Sequence, residues 1–357
     1  MSKFTHGGYA RQLDPTNEIL DFSANINPLG MPEKLVSSLK DSIKDLVYYP
    51  DVHYRSLRQN LGSYYQYDAE KIWVGNGSVE LIFNVIETID AKNALLLAPS
   101  FAEYERAFAK NNSQINYYYL KETTNFKLEI NDFLAYLKAN QQIDCICLAN
   151  PNNPTGDLLN VFQLRQLANY CNHHGIWLIL DEAFIDFLDN KKQFSFVGEL
   201  TETDSVVIIK SLTKYFAIPG LRLGMALFPN RQFVNTLMEN CEPWSVNTFA
   251  AGLSLDVFND QSFAMQTSQW LHQEKTYLES ELAKILEIKV YPSAVNYYLL
   301  RCEKIDLATA LLKRGCLIRN CNNYRGLENG YYRIAVRSHA ENVQLIQAIK
   351  TVCQSES

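Results

Sequence analysis

The sequence predicts an α/β fold: a large domain with a mostly parallel sheet covered by helices, then a smaller α+β C-terminal domain. Three observations predict it. Between about residues 70 and 230, short β-rich runs alternate with stretches of helical period. Several of those runs are apolar throughout rather than alternating, as in a sheet buried on both faces. After about residue 240 the texture changes to a long polar helical pattern followed by a few short strands.

Taken in order, the strands of the large sheet are expected at 72–74, 94–97, 115–120, 145–149, 177–180, 206–209 and 225–228. Between them Ile82, Val85, Ile86 and Ile89 recur at helical spacing, as do Leu164, Leu167, Ala168 and Cys171. Residues 263–286 read as a helix, and 290–292, 297–300 and 332–336 as strands. Ser338, with Glu341 three residues on, carries a capping-box signature for a last helix that buries Leu345, Ile349 and Val352. The expected organisation is an N-terminal arm (1–28), a large domain (29–240) and a small domain (241–357).

A chain of 357 residues that is 47% hydrophobic and 20% charged can bury a large core. Its net charge of −6 argues against a surface for nucleic acid or acidic lipid. No apolar run approaches the roughly 18 residues of a membrane span, and the start has no signal-like apolar region. A soluble, cytoplasmic protein is expected. Cys145 and Cys147 alternate within an apolar run, and Cys171 lies on an apolar helical stripe. With no C-x-x-C pair or Cys/His cluster at ligand spacing, the eight cysteines read as buried thiols and no metal is expected.

In open α/β sheets the loops at the strand C-termini carry the ligand. Four polar stretches fall there: Gly75-Asn76-Gly77-Ser78, residues 150–156, Asp181, and Ser211-Leu212-Thr213-Lys214. Singly, each is ordinary turn, cap or loop composition. Together on one sheet edge they supply what an organic phosphate cofactor with a reactive carbonyl demands. A helix N-terminus at Gly77 and Ser78 attracts phosphate, the Ser211 and Thr213 hydroxyls add hydrogen bonds, and Arg222 adds a bidentate charged one. Lys214 can form a Schiff base with an aldehyde, and Asp181 can keep a pyridine nitrogen protonated.

The series Asn153-Pro154-Thr155-Gly156, Asp181-Glu182-Ala183-Phe184 and Ser211-Leu212-Thr213-Lys214, with Arg222, resembles the fold-type-I enzymes of the aspartate-aminotransferase superfamily, over nearly the whole chain. The resemblance implies pyridoxal 5′-phosphate as cofactor. It implies Lys214 as the lysine bonded to it, Asp181 as the partner of its ring nitrogen, Asn153 as donor to its phenolic oxygen and Phe101 as the stacking ring. Asn76, Gly77, Ser78, Ser211, Thr213 and Arg222 would form the phosphate cup. In this superfamily a tyrosine from a second subunit also reaches the phosphate; Tyr49 is the first match and Tyr54 the second, which implies a homodimer with shared active sites.

Within the superfamily, Tyr49-Pro50-Asp51, Gly75-Asn76-Gly77-Ser78 and Pro219-Gly220-Leu221-Arg222 are similar to the histidinol-phosphate aminotransferase branch. His6-Gly7-Gly8, the stretch 21–30, Pro243-Trp244-Ser245-Val246-Asn247 and the stretch 331–337 look more like the threonine-phosphate decarboxylases of cobalamin biosynthesis. Transaminases of this branch carry a tyrosine where Phe184 stands, so the phenolic oxygen of the cofactor keeps Asn153 as its one side-chain donor. The resemblance implies decarboxylation of L-threonine O-phosphate, with L-serine O-phosphate as a neighbouring substrate and histidinol-phosphate aminotransferase as the alternative. For a phosphorylated amino acid it offers Arg319, Arg333 and Arg337 as cations, with His6 from the arm and Asn25, Asn153 and Asn296 as polar contacts. On a strand, Arg333 and Arg337 would share a face. A regulator built on this fold is disfavoured, since such proteins lose the lysine or carry a fused DNA-binding module, and Lys214 is kept.

Overall fold

The computed structural model describes residues 6–16 and 18–355; the first five residues of the expected arm, which include most of the stretch read for a signal, and Asn17 lie outside the described residues. Seven strands form the large sheet: β1 (Ile72–Asn76), β2 (Asn93–Ala98), β3 (Gln114–Tyr119), β4 (Cys145–Ala149), β5 (Trp177–Asp181), β6 (Val206–Ser211) and β7 (Leu223–Leu227). They lie in the order β1-β7-β6-β5-β4-β2-β3. Only β7 runs against its neighbours, pairing antiparallel with both β1 and β6. Strands β4 and β6 are buried along their whole length, which is why their sequences do not alternate.

The helices that matter for the pocket are α1 (Ser78–Ile89) and α2 (Ala102–Lys110). α1 follows β1 directly and buries Leu81, Ile82, Val85 and Ile86. Two long helices accompany the second sheet, α3 (Gln261–Leu282) and α4 (His339–Ser355). That sheet joins β8 (Lys289–Val290), β9 (Tyr297–Arg301), β10 (Arg319–Asn320) and β11 (Tyr331–Ala335), all antiparallel, in the order β10-β11-β9-β8. The expected helix at 263–286 therefore starts earlier and stops at Leu282. The capping box forms: Ser338 N donates to Glu341 Oε2 at 3.1 Å.

The N-terminal segment ties the two sheets together. Residues Leu20–Asp21 pair in parallel with Cys316–Leu317. Phe22 O then accepts from Ala335 N, and Asn27 N donates to Lys214 O. This thread passes from the small sheet to Lys214 within a few residues. No disulfide joins the eight cysteines. Among the described residues no cluster of histidine, cysteine and carboxylate side chains could hold a metal ion, and no helix is long and apolar enough to cross a membrane.

Candidate active site

All the chemistry-bearing stretches reach one edge of the large sheet. Asn76, Asp181 and Ser211 prove to be the last residues of their strands rather than the first loop residues after them. Arg222 immediately precedes the antiparallel β7, which brings it to the same edge.

Asp181 is 5% exposed. Its carboxylate accepts from Tyr104 Oη at 2.7 Å and from Ala183 N at 2.9 Å. Burial pushes the Asp181 carboxyl up, against the Tyr104 hydrogen bond and the nearby Lys214 charge, which pull it down. Lys214 sits in the short helix Leu212–Tyr215, where Nζ donates to Ser211 Oγ at 2.8 Å. Loss of water around it pushes the amine down to about 8; Asp181 opposes that shift, and Arg222 and Arg333 add to it. More of Lys214 than of an ordinary lysine is therefore neutral, and nucleophilic, near neutral pH.

The anion cup lies at the start of α1. Gly77 has φ +86, and a Cβ there would come within 2.4 Å of Arg222 Nη2. A Cβ on Gly224 would come within 2.4 Å of Ser78 N. Only glycine allows the guanidinium and the first-turn N–H groups to close on one spot, and both favour a phosphate. The Ser211 and Thr213 hydroxyls lie 2.8 Å apart. The pocket between cup and floor is lined by Ser78, Phe101, Asn153, Asp181, Phe184 and Lys214. An amine for an aldehyde, a carboxylate for a ring nitrogen and a glycine cradle for a phosphate are the donor set of pyridoxal 5′-phosphate, and these residues fit it.

The small sheet and the N-terminal thread meet this pocket at Asn153. Arg333 is 6% exposed; Nη1 donates to Asn153 Oδ1 at 2.6 Å and Nη2 to Ser23 O at 2.7 Å. Because Asn153 Oδ1 accepts, its Nδ2 is the atom left to donate into the pocket. Phe184 packs edge-on against Tyr297 at 5.0 Å, and Tyr297 Oη donates to Asn152 O at 2.8 Å. Asn25 Oδ1 and Asn296 Oδ1 are buried without a partner, and Asn296 Nδ2 donates to Asn25 O at 3.2 Å. The Arg319 guanidinium donates to Asn320 O and Asn323 Oδ1, both at 2.6 Å, and lies over the Tyr324 ring. His6 stands near Phe101, its ring half-exposed, with Nε2 2.8 Å from Glu103 Oε1.

One expectation is corrected. β11 ends at Ala335, so Arg337 does not share a strand face with Arg333. The chain has already turned toward α4, and the Arg337 guanidinium is held by Glu341 at 2.8 Å. Of the two tyrosines considered for reaching a second subunit, Tyr54 is buried and its hydroxyl accepts from Val246 N within the same chain. Tyr49 is 81% exposed beside Trp244. Tyr104, Tyr297 and Tyr324 carry no signature of their own in the sequence. Only the position of Tyr104, three residues after Phe101, points toward the pocket.

The model of the family described as aminotransferase class I and II matches residues 17–349. A threonine-phosphate decarboxylase of Salmonella typhimurium is 39% identical over 97% of this chain and 96% of its own length. An L-serine phosphate decarboxylase of Campylobacter jejuni is 30% identical over 79% of this chain and 74% of its own length. The crystal structure of the histidinol-phosphate aminotransferase from Clostridium acetobutylicum superposes with a TM-score of 0.88 at 32% identity, covering 94% of this chain and all of that one.

Proposed function

The chain belongs to the aminotransferase class I and II family, and from that premise we propose that it is a pyridoxal-phosphate-dependent lyase. It decarboxylates L-threonine O-phosphate to (R)-1-aminopropan-2-ol O-phosphate and CO₂, with L-serine O-phosphate as the neighbouring substrate and cobamide biosynthesis as its setting. The observation that carries the reading is a pocket lined by Asp181 and Lys214 whose Asn153 is gripped from behind by the buried Arg333.

When bound, pyridoxal 5′-phosphate supplies a conjugated ring that draws electron density from the bonds at the nitrogen-bearing carbon of the substrate. In this reading Asp181 holds the proton of the ring nitrogen, Asn153 donates to the phenolic oxygen and Phe101 covers the ring. Asn76, Gly77, Ser78, Ser211, Thr213 and Arg222 hold the phosphate. Arg319, Arg333, Arg337 and His6 share the two anions of the substrate, with Asn25 and Asn296 as polar contacts. With that ring in place, the bond at this carbon that the residues hold along its π system would be the one weakened. Anchoring both phosphate and carboxylate selects the carbon–carboxylate bond over the carbon–hydrogen bond. Lys214 then delivers a proton to the carbon that CO₂ has left.

The working unit in this reading is a cytoplasmic homodimer. Ile43, Leu46, Val47, Tyr48 and Tyr49 are exposed along one segment, and Tyr49 meets the exposed Trp244. A second copy would cover these side chains, with Tyr49 reaching the phosphate cup across the interface.

The test measures CO₂ from the cofactor-loaded protein given L-threonine O-phosphate, L-serine O-phosphate, or histidinol phosphate with 2-oxoglutarate. CO₂ from a phosphoamino acid without any keto acid is expected. The second reading, a histidinol-phosphate aminotransferase, is favoured by the likeness to the Clostridium structure; glutamate formed from histidinol phosphate without CO₂ would establish it instead.

A further inference from the structure

Asp181 serves a ring nitrogen only as a carboxylate, yet burial pushes its carboxyl up. It is 5% exposed, and its chain neighbour Glu182, fully buried, adds a like charge. Glu182 has its own cation, Lys210 at 3.0 Å, on the far side of the strand. The cation that bears on Asp181 is Lys214. The donors to Asp181 are Ala183 N on Oδ1 and Tyr104 Oη on Oδ2.

Tyr104 is placed with its hydroxyl on this carboxylate. It is 1% exposed, and burial together with the Asp181 charge pushes its ionisation well above the ordinary range, so the hydroxyl stays a donor. The ring is fixed as well: Phe101 is the N-cap of α2, Tyr104 lies in its first turn, and the two rings meet edge-on at 5.6 Å and 82°. Each carboxylate oxygen offers two acceptor positions. With one taken on Oδ1 by Ala183 and one on Oδ2 by Tyr104, the rotation of the group is set, and the remaining positions are left for a ring N–H.

We infer that Tyr104 is a positioning residue for catalysis: its hydroxyl orients the Asp181 carboxylate toward the ring nitrogen of the cofactor and favours its charged form. The inference rests on the pyridoxal-phosphate reading. It predicts a loss confined to whatever depends on Asp181.

Tyr104→Phe removes one oxygen and keeps the ring against Phe101. The expected result is cofactor binding weakened ~10-fold or more, the scale of one hydrogen bond to a charged group, read from the visible absorbance of the loaded protein without substrate. The acid limb of cofactor binding moves to higher pH, because Asp181 without this donor protonates more readily. kcat falls while KM changes little, and the melting temperature of the cofactor-free protein stays put. In an Asp181→Asn background the same substitution has no further effect. The inference is overturned if Tyr104→Phe binds the cofactor with wild-type affinity and acid limb. It is also overturned if the loss simply adds to that of Asp181→Asn. Wild-type protein that acquires no visible band would instead refute the cofactor reading, and this inference with it.

Discussion

On the large-sheet wall of the pocket, Asn76, Asp181 and Ser211 are each the final residue of a strand, and Lys214 follows within one helical turn. On the small-sheet side, Arg333 is held by Asn153 and Ser23, 180 and 310 residues away in sequence. The first wall is assembled by strand order: a parallel sheet brings all its C-terminal ends to one edge, whatever the loops between them do. The other side depends on which distant group happens to meet each side chain. The contrast between Arg333 and Arg337, four residues apart, makes this concrete. One guanidinium bridges three segments of the chain, and the other pairs with Glu341 in the first turn of the helix that follows it.

If the large-sheet wall carries the chemistry, Lys214→Ala causes the largest loss. Decarboxylation falls by at least ~10⁴-fold, the scale of a lost nucleophile and proton carrier, and the visible band of the bound cofactor disappears. A variant that keeps the band and turns over would break the comparison at its first term. The same wall predicts a pH effect in the wild type. Neutral Lys214 is the form that reacts with an aldehyde, and its amine titrates at about 8, below the ordinary lysine value. Capture of cofactor by the empty protein should therefore speed up as pH rises to about 8 and level off above it; stopped-flow absorbance reads it directly.

The small-sheet side is tested by two arginines. Arg333→Met removes a charge-assisted bond to Asn153 and leaves its amide oxygen to the longer bond from Tyr324 Oη at 3.4 Å. A fall of ~100-fold in kcat/KM for the phosphoamino acid is expected, from a hydrogen bond of that strength lost in a buried site. Arg337→Met should cost less, about 10-fold and mostly in KM, because Glu341 already engages that guanidinium. Equal losses for the two would erase the distinction drawn between them. The smallest effect is expected from Phe184→Tyr. Its added hydroxyl gives the phenolic oxygen of the cofactor a second donor, and the cofactor-bound Lys214 nitrogen should release its proton about one pH unit lower, seen as a shift in the absorbance titration.

How much of this was legible follows the same division. The seven strands fell close to where apolar runs placed them, since a strand buried on both faces has no choice but to be apolar. Boundaries moved by a residue or two where polar groups end strands, at Asp181 and Ser211, because a carboxylate or hydroxyl that faces a pocket interrupts the apolar pattern before it interrupts the backbone ladder. The Arg337 expectation failed for a related reason. Strand periodicity was extended past Ala335, where the capping box of Ser338 and Glu341 had already claimed the chain.

By itself, then, the sequence determined the α/β class and the sheet edge at which Lys214, Asp181, Asn153, Gly77 and Arg222 gather, because each sits in a short stretch whose geometry is local: a strand end, a turn, a helix start. The tertiary structure alone decided that Tyr104 meets Asp181, that Arg333 steers the Asn153 amide, and that Tyr49 faces outward while Tyr54 is enclosed. Those pairings join segments tens to hundreds of residues apart, and no local pattern encodes which buried polar groups will meet across a packed core.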